Sequence, residues 1–297
     1  MEKVNHGSIG VFDSGYGGIS VLANLIEAMP GESFVFLSDS KHAPYGELAP
    51  GRVLEHTMHS LEYLKDLSVD AVVIACNTAT SAAVEVLRET FAFPIIGMEP
   101  AVKPAVKKGA SSRILVAATA LTLKESKFAA LMESIGDQHE IVRLPCHGLV
   151  DQIEKYGPES TEVDKKIEEL LEPYKSFQFD GVVLGCTHYV LIKNQWQKKF
   201  PKDTVIYDGN EGTVRQTIRM LKKQSRSISF QGPAKVCLMD SSQSIERLIK
   251  SKNLLLKQLQ NNGEIALEQL QIELRKTNEL CEFGKHNPSI WHTANSK

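Results

Sequence analysis

Apolar residues along the chain fall into two alternating patterns. Short, mostly apolar runs occur at residues 8–12, 34–37, 72–75, 93–98, 113–118, 140–144, 182–185, 204–207 and 235–239. Runs of this length read as strands buried on both faces. Between them, apolar residues recur every three or four positions. Leu22, Leu25, Ile26 and Met29 form one such stripe, Leu54, Met58, Leu61 and Leu64 a second, and Val163, Ile167, Leu170 and Leu171 a third. That spacing predicts amphipathic helices. Strand and helix in alternation predict an α/β fold of mainly parallel sheets with crossover helices. The pattern changes near residue 251. Residues 254–259 and 265–280 are helix-prone, rich in Gln and Glu, and separated by Asn261-Asn262-Gly263. They predict a helical hairpin appended to the body, packed on it or on a partner subunit.

Two of the strand runs are near copies. Val72-Val73-Ile74-Ala75-Cys76-Asn77-Thr78 is echoed by Val182-Val183-Leu184-Gly185-Cys186-Thr187-His188. Residues just past the C-terminal ends of parallel strands face the crevice where open sheets bind ligands. Each cysteine sits there, one from each half of the chain. A helical stripe follows Cys76, with Asn77 or Thr78 placed to cap it. The positive end of that helix favours a thiolate. If one sulfur is thiolate and the other thiol, one takes a proton from carbon while the other delivers one to the opposite face. That is stereoinversion by general acid–base catalysis, and it requires no metal or cofactor.

The remaining candidates are weaker. A lone strand cysteine usually packs as a small hydrophobe, and Cys146, Cys237 and Cys281 read that way. No Cys-x-x-Cys pair suggests zinc. Asp13-Ser14-Gly15-Tyr16-Gly17-Gly18 follows the first strand, but its spacing fits neither a dinucleotide fingerprint nor a phosphate loop. It reads as a tight turn holding a carboxylate and a hydroxyl at a strand tip. Pro44-Tyr45-Gly46 is either punctuation or a turn that presents backbone groups to a ligand.

The 297 residues, 42% hydrophobic and 24% charged, suit an ordinary globular protein with room for two domains. A net charge of −2 offers nothing to nucleic acid or to an acidic membrane surface. The start lacks a signal-peptide core and no long apolar segment follows, so no membrane association and a cytoplasmic location are expected. Five scattered cysteines fit a reducing compartment.

Asp13-Ser14-Gly15-x-Gly17-Gly18, Pro44-Tyr45-Gly46, Cys76-Asn77-Thr78 and Gly185-Cys186-Thr187-His188-Tyr189 together resemble the motif set of glutamate racemases, in the same order and spacing. The resemblance spans roughly residues 8–250 and lies within the aspartate/glutamate racemase superfamily. It implies cofactor-independent interconversion of L- and D-glutamate, supplying D-glutamate for peptidoglycan. It implies Cys76 and Cys186 as the acid/base pair, Asp13 assisting Cys76 and His188 assisting Cys186. Substrate binding would fall to Asp13, Ser14, Pro44, Tyr45, Gly46, Asn77 and Thr78, and to Thr119, Thr122, Thr187 and His188. The implied fold is two similar α/β domains with the site between them, residues 1–98 with 209–250 and residues 99–208. Residues 251–297 would be the helical extension, and a homodimer is expected. The chain departs from the family in places. Ala118-Thr119 replaces the usual Gly-Thr, and Val190 replaces a proline. Asp151 stands where a glutamate normally helps the second cysteine, one methylene shorter. The rival readings are an aspartate or hydantoin racemase, a decarboxylase working with one thiol, and an idle amino-acid-binding protein. Retention of both cysteines weighs against the last two.

Overall fold

The computed structural model describes residues 7–106, 111–136, 138–262, 270–277 and 292–293. Cys281 lies outside them, as do residues 265–269 and 278–280 of the expected second tail helix. The strands, in chain order, are β1 (Ile9–Asp13), β2 (Ser33–Ser38), β3 (Ala71–Ile74), β4 (Ile95–Gly97), β5 (Arg113–Ala118) and β6 (Glu140–Pro145). They continue with β7 (Gly181–Gly185), β8 (Val205–Asp208), β9 (Ala234–Asp240), β10 (Leu270–Lys276) and β11 (His292–Thr293). They form two sheets, a larger one in the order β11-β10-β9-β2-β1-β3-β4 and a smaller one in the order β6-β5-β7-β8. Every described pairing is parallel except that of β10 with β11.

Helices cover both faces of these sheets, which is why the central strands need no polar face. All of β1, β3 and β7 is buried. From the helix Ile19–Ala28, Leu22, Leu25 and Ile26 pack into the core with no exposed surface.

Strand order fixes where a ligand can sit. In the larger sheet the chain leaves β1 for β2 on one side and later reaches β3 on the other. In the smaller sheet β5 is likewise flanked by β6 and β7. Such reversals open a crevice at the strands' C-terminal ends. Those ends carry Asp13 (β1), Cys76 (just past β3), Thr119 (just past β5) and Cys186 (just past β7). The repeated motif therefore marks the equivalent point in each sheet.

The expected helical hairpin of the tail needs correction. Helix Ile245–Asn262 starts ahead of residue 251 and continues through it, so no boundary falls there. Leu270–Lys276 is a strand that pairs with β9 along seven residues, Leu270 with Ala234 through Lys276 with Asp240. Leu270 and Ile272 are buried. The alternation Leu270, Ile272, Leu274 matches a pleat, and the open edge of β9 outweighs local helix propensity. The tail completes the larger sheet. Among the described residues no helix is long and apolar enough to cross a membrane.

Candidate active site

Cys76 is the N-cap of helix Asn77–Thr90, so the cap is the cysteine itself rather than Asn77 or Thr78. Its Sγ lies 3.4 Å from the Ala79 N–H and 3.4 Å from Ser14 Oγ. Cys186 holds the same position before the short helix Thr187–Val190. Both sulfurs line one cleft between the two sheets. The larger-sheet domain adds Ser14, the Pro44–Gly46 turn, Asn77 and Thr78 to its wall, and the smaller adds Thr119, Asp151, Thr187 and His188. The space in the cleft open to water is about 30 Å³, room for one or two water molecules.

Two expected binding residues stand behind this wall. Thr122 is fully buried and completes a ring of hydroxyls with Thr78 and Thr119, at 2.9 to 3.2 Å. The ring crosses from one domain to the other. Asp13 is also fully buried. Its Oδ2 accepts a 2.9 Å bond from Thr187 Oγ1 and its Oδ1 a 2.8 Å bond from the Gly15 N–H. Asp13 therefore acts on Cys76 through charge, while Ser14 makes the direct contact.

The glycines of the first motif provide clearance between domains. A Cβ at Gly17 would lie 2.6 Å from His188 Nδ1 and 2.6 Å from Thr187 Oγ1. One at Gly15 would lie 2.6 Å from Glu154 Oε1. The glycine-rich turn after β1 is a site of close approach.

Burial shapes the titration of the site. It pushes Cys76 up to about 12, with help from the Asp13 and Cys186 charges and against the Ser14 and Ala79 hydrogen bonds. Desolvation thus outweighs the helix terminus, and Cys76 rests as a thiol. Burial likewise raises Asp13 to about 6, against the pull of His188, Gly15 and Thr187. At His188 burial opposes the charged form, but hydrogen bonds with Cys186 and Glu154, and their charges, lift it to about 10. His188 is an imidazolium at neutral pH.

A stability prediction follows for Asp13. Its folded-state pKa lies above the unfolded value, so between pH 6 and pH 4 the native state holds the proton more tightly. Stability from this group therefore rises as pH falls through that window. Above pH 6 the buried carboxylate costs roughly 2–3 kcal/mol, at 1.4 kcal/mol per pK unit. Asp13→Asn is expected to raise Tm at pH 7.5, with the gain over wild type shrinking towards pH 4. Calorimetry at the two pH values checks the sign.

Sequence reasoning missed Glu154. His188 Nε2 bonds Glu154 Oε1 at 2.7 Å, whereas Asp151, the expected acidic helper, is exposed on the cleft wall. The signal was available, because Glu154 lies three positions after Asp151 on helix Leu149–Tyr156 and shares its face. Tyr16 was also passed over. Its Oη donates to the Ile153 carbonyl and its ring centroid lies 5.3 Å from that of His188. Cys146, read as structural, is buried and also borders the cleft.

The chain has known counterparts. Residues 16–217 match the family model described as Asp/Glu/Hydantoin racemase. A glutamate racemase of Clostridium perfringens is 40% identical over 86% of this chain and 98% of its own length. One of Clostridium novyi is 44% identical over 83% and 96%. The crystal structure of Escherichia coli glutamate racemase, in complex with L-glutamate and an activator, superposes with a TM-score of 0.72 at 25% identity. That match covers 91% of this chain and 98% of the other. With both cysteine-tipped strands inside the matched span, the chain belongs to the Asp/Glu/Hydantoin racemase family of amino-acid racemases.

Proposed function

We propose that the chain is a glutamate racemase that interconverts the two enantiomers through Cys76 and Cys186 without a cofactor. The observation that carries this reading is the pair of sulfurs. They come from equivalent strand ends of two sheets, line a single cleft, and have separate ionisable neighbours, Asp13 and His188. The relatives at 40 and 44% identity that are named glutamate racemases support the substrate.

For one enantiomer Cys76, held as a thiol by burial, is the donor and Cys186, beside His188, is the acceptor. The acceptor sulfur takes the α-proton from one face and Cys76 gives its own to the other. Atoms balance with one proton gained and one lost, and the roles reverse for the opposite enantiomer. Asn77 Oδ1 is buried on the cleft wall with no hydrogen-bond partner among the described residues, and it offers an acceptor for the substrate ammonium. The Ser14, Thr78, Thr119 and Thr187 hydroxyls supply further handles. The reading extends, on the family resemblance, to a cytoplasmic homodimer that supplies D-glutamate for peptidoglycan.

The test is proton NMR of the protein with L-glutamate in D2O, with no cofactor added. The expected result is loss of the α-proton signal as D-glutamate forms. Exchange confined to L-aspartate would transfer the reading to an aspartate racemase. No exchange with glutamate, aspartate or alanine, from folded and reduced protein, would favour an amino-acid-binding protein.

A further inference from the structure

Asp39, His42 and His56 form a second cluster of ionisable side chains, and none of the three lines the cleft. Asp39 directly follows β2, and its N–H donates a 2.9 Å bond to the Asp13 carbonyl at the end of β1. His42 closes the short turn Ser40–His42, where its Nδ1 lies 2.9 and 3.0 Å from the two Asp39 carboxylate oxygens. His56 comes from the buried face of helix Pro50–Asp66. Its ring stacks on that of His42, with centroids 3.9 Å apart and planes within 7°. One donor atom from each of the three residues falls within 4.8 Å of the others.

Asp39 is only 3% exposed and His56 8%, so both polar heads are withdrawn from water. Buried carboxylates are kept where they are paired or hold a cation. Tyr45 Oη donates a 2.6 Å bond to Asp39 Oδ2, orienting the carboxylate as an outer-shell partner orients a metal ligand. Among the described residues Oδ1 meets only His42. Two imidazoles and one carboxylate suit zinc and its first-row neighbours, whereas magnesium and calcium take oxygen ligands. The Asp39 oxygens and His42 Nδ1 already stand near the ~3.3 Å that separates tetrahedral ligands held at about 2.0–2.1 Å from zinc. Parallel rings do not aim their in-plane lone pairs at one point, so binding turns the His42 ring out of the stack. Its side chain is 35% exposed on a three-residue turn, which leaves it room to turn.

We propose that Asp39, His42 and His56 bind one divalent transition-metal ion, zinc by the chemistry of its donors, behind the wall of the cleft. The ion displaces the proton shared between His42 and Asp39, and water completes its coordination. It takes no part in proton transfer. The chain between His42 and His56 carries Pro44, Tyr45 and Gly46, so an ion held by both histidines ties the two ends of the turn that walls the cleft. Gly46 also meets the other domain closely, because a Cβ there would lie 2.7 Å from the Thr119 side chain. The ion therefore braces a segment on which the domains touch. This site stands whether or not the racemase reading holds.

The test is titration of untagged, full-length protein with Co2+, a spectroscopic stand-in for zinc, after stripping with a chelator and reduction with a phosphine. The expected result is saturation at one ion per chain, with d–d bands of nitrogen and oxygen ligation and no thiolate charge transfer. Tm should rise to a plateau at the same ratio, as for any ligand of the native state. Zn2+ should displace the cobalt, and Mg2+ should not. Losing an outer-shell partner costs roughly 10–100-fold in metal affinity, so losing a ligand, in His42→Gln or His56→Gln, should weaken binding about 100-fold or more. The cleft sulfurs are the competing site, and the Cys76→Ser, Cys186→Ser double variant should bind cobalt as wild type does. His42 is partly exposed, so His42→Gln keeps the test decisive if His56→Gln disturbs its helix. Binding that does not saturate, or that survives both histidine substitutions, overturns the proposal. So does cobalt that shows thiolate charge transfer and is lost with the cysteines. Binding is read without turnover, so failure of the racemase reading would appear separately, as metal-binding protein that does not racemise glutamate.

Discussion

Cys76→Ser and Cys186→Ser are each expected to lower kcat by roughly 10²–10⁴-fold, the usual share of a positioned acid or base. The change exchanges one atom, and little structure depends on it. Among the described residues the Cys76 sulfur has two hydrogen-bond contacts, both at 3.4 Å, and serine is a good N-cap, so the start of helix Asn77–Thr90 should persist. Activity should fall while the thermal melt stays within a degree or two. Because the two enantiomers have equal free energy in water, kcat/KM must fall equally in both directions for either variant. The double variant should be little worse than a single one, since the sulfurs act as a unit. Racemisation assays from L- and from D-glutamate, with circular dichroism melts, check all three points. One serine variant at near-wild-type turnover would end the two-thiol account.

Truncation after Asn262 is expected to give insoluble or unfolded protein. It removes Leu270 and Ile272, buried side chains each contributing about 1.5–3 kcal/mol. It also removes the 2.9 Å bond from Tyr63 Oη to the Thr277 carbonyl and the whole ladder along β9. A domain's entire stability is only about 5–15 kcal/mol. The strand left at the edge would then be β9, whose Val236 and Leu238 are fully buried in the intact chain. An apolar edge of that length promotes association between chains. Soluble, cooperatively melting protein ending at residue 262 would show that β10 is dispensable.

The parallel α/β class and the cleft position of both cysteines were legible because buried strands announce themselves as apolar runs and strand ends define the crevice. The tail was not. Leu270, Ile272 and Leu274 alternate correctly, but Gln, Glu and Arg between them favour helix, and only the waiting edge of β9 decides the outcome. Glu154 was missed for a related reason. Sequence spacing shows that it shares a face with Asp151, yet which of the two meets His188 depends on how helix Leu149–Tyr156 is turned against the end of β7 within one domain. The titration of Cys76 was the third gap. A helix N-terminus is visible in sequence, and the complete burial that overrides it is not.

The closed cleft has a consequence for binding populations. Space for one or two waters is too small for glutamate, so substrate must enter a form in which the domains have parted. Parting breaks the Thr187–Asp13, Thr78–Thr119, Tyr16–Ile153 and Arg247–Glu154 bonds. At a net 0.5–1.5 kcal/mol for each of these four hydrogen bonds, that sets the open form about 2–6 kcal/mol above the closed one. Roughly one molecule in 30 to one in 25,000 would then be open at any instant, and apparent affinity falls by the same factor. The contacts that shape the site between the two sulfurs also keep it empty most of the time.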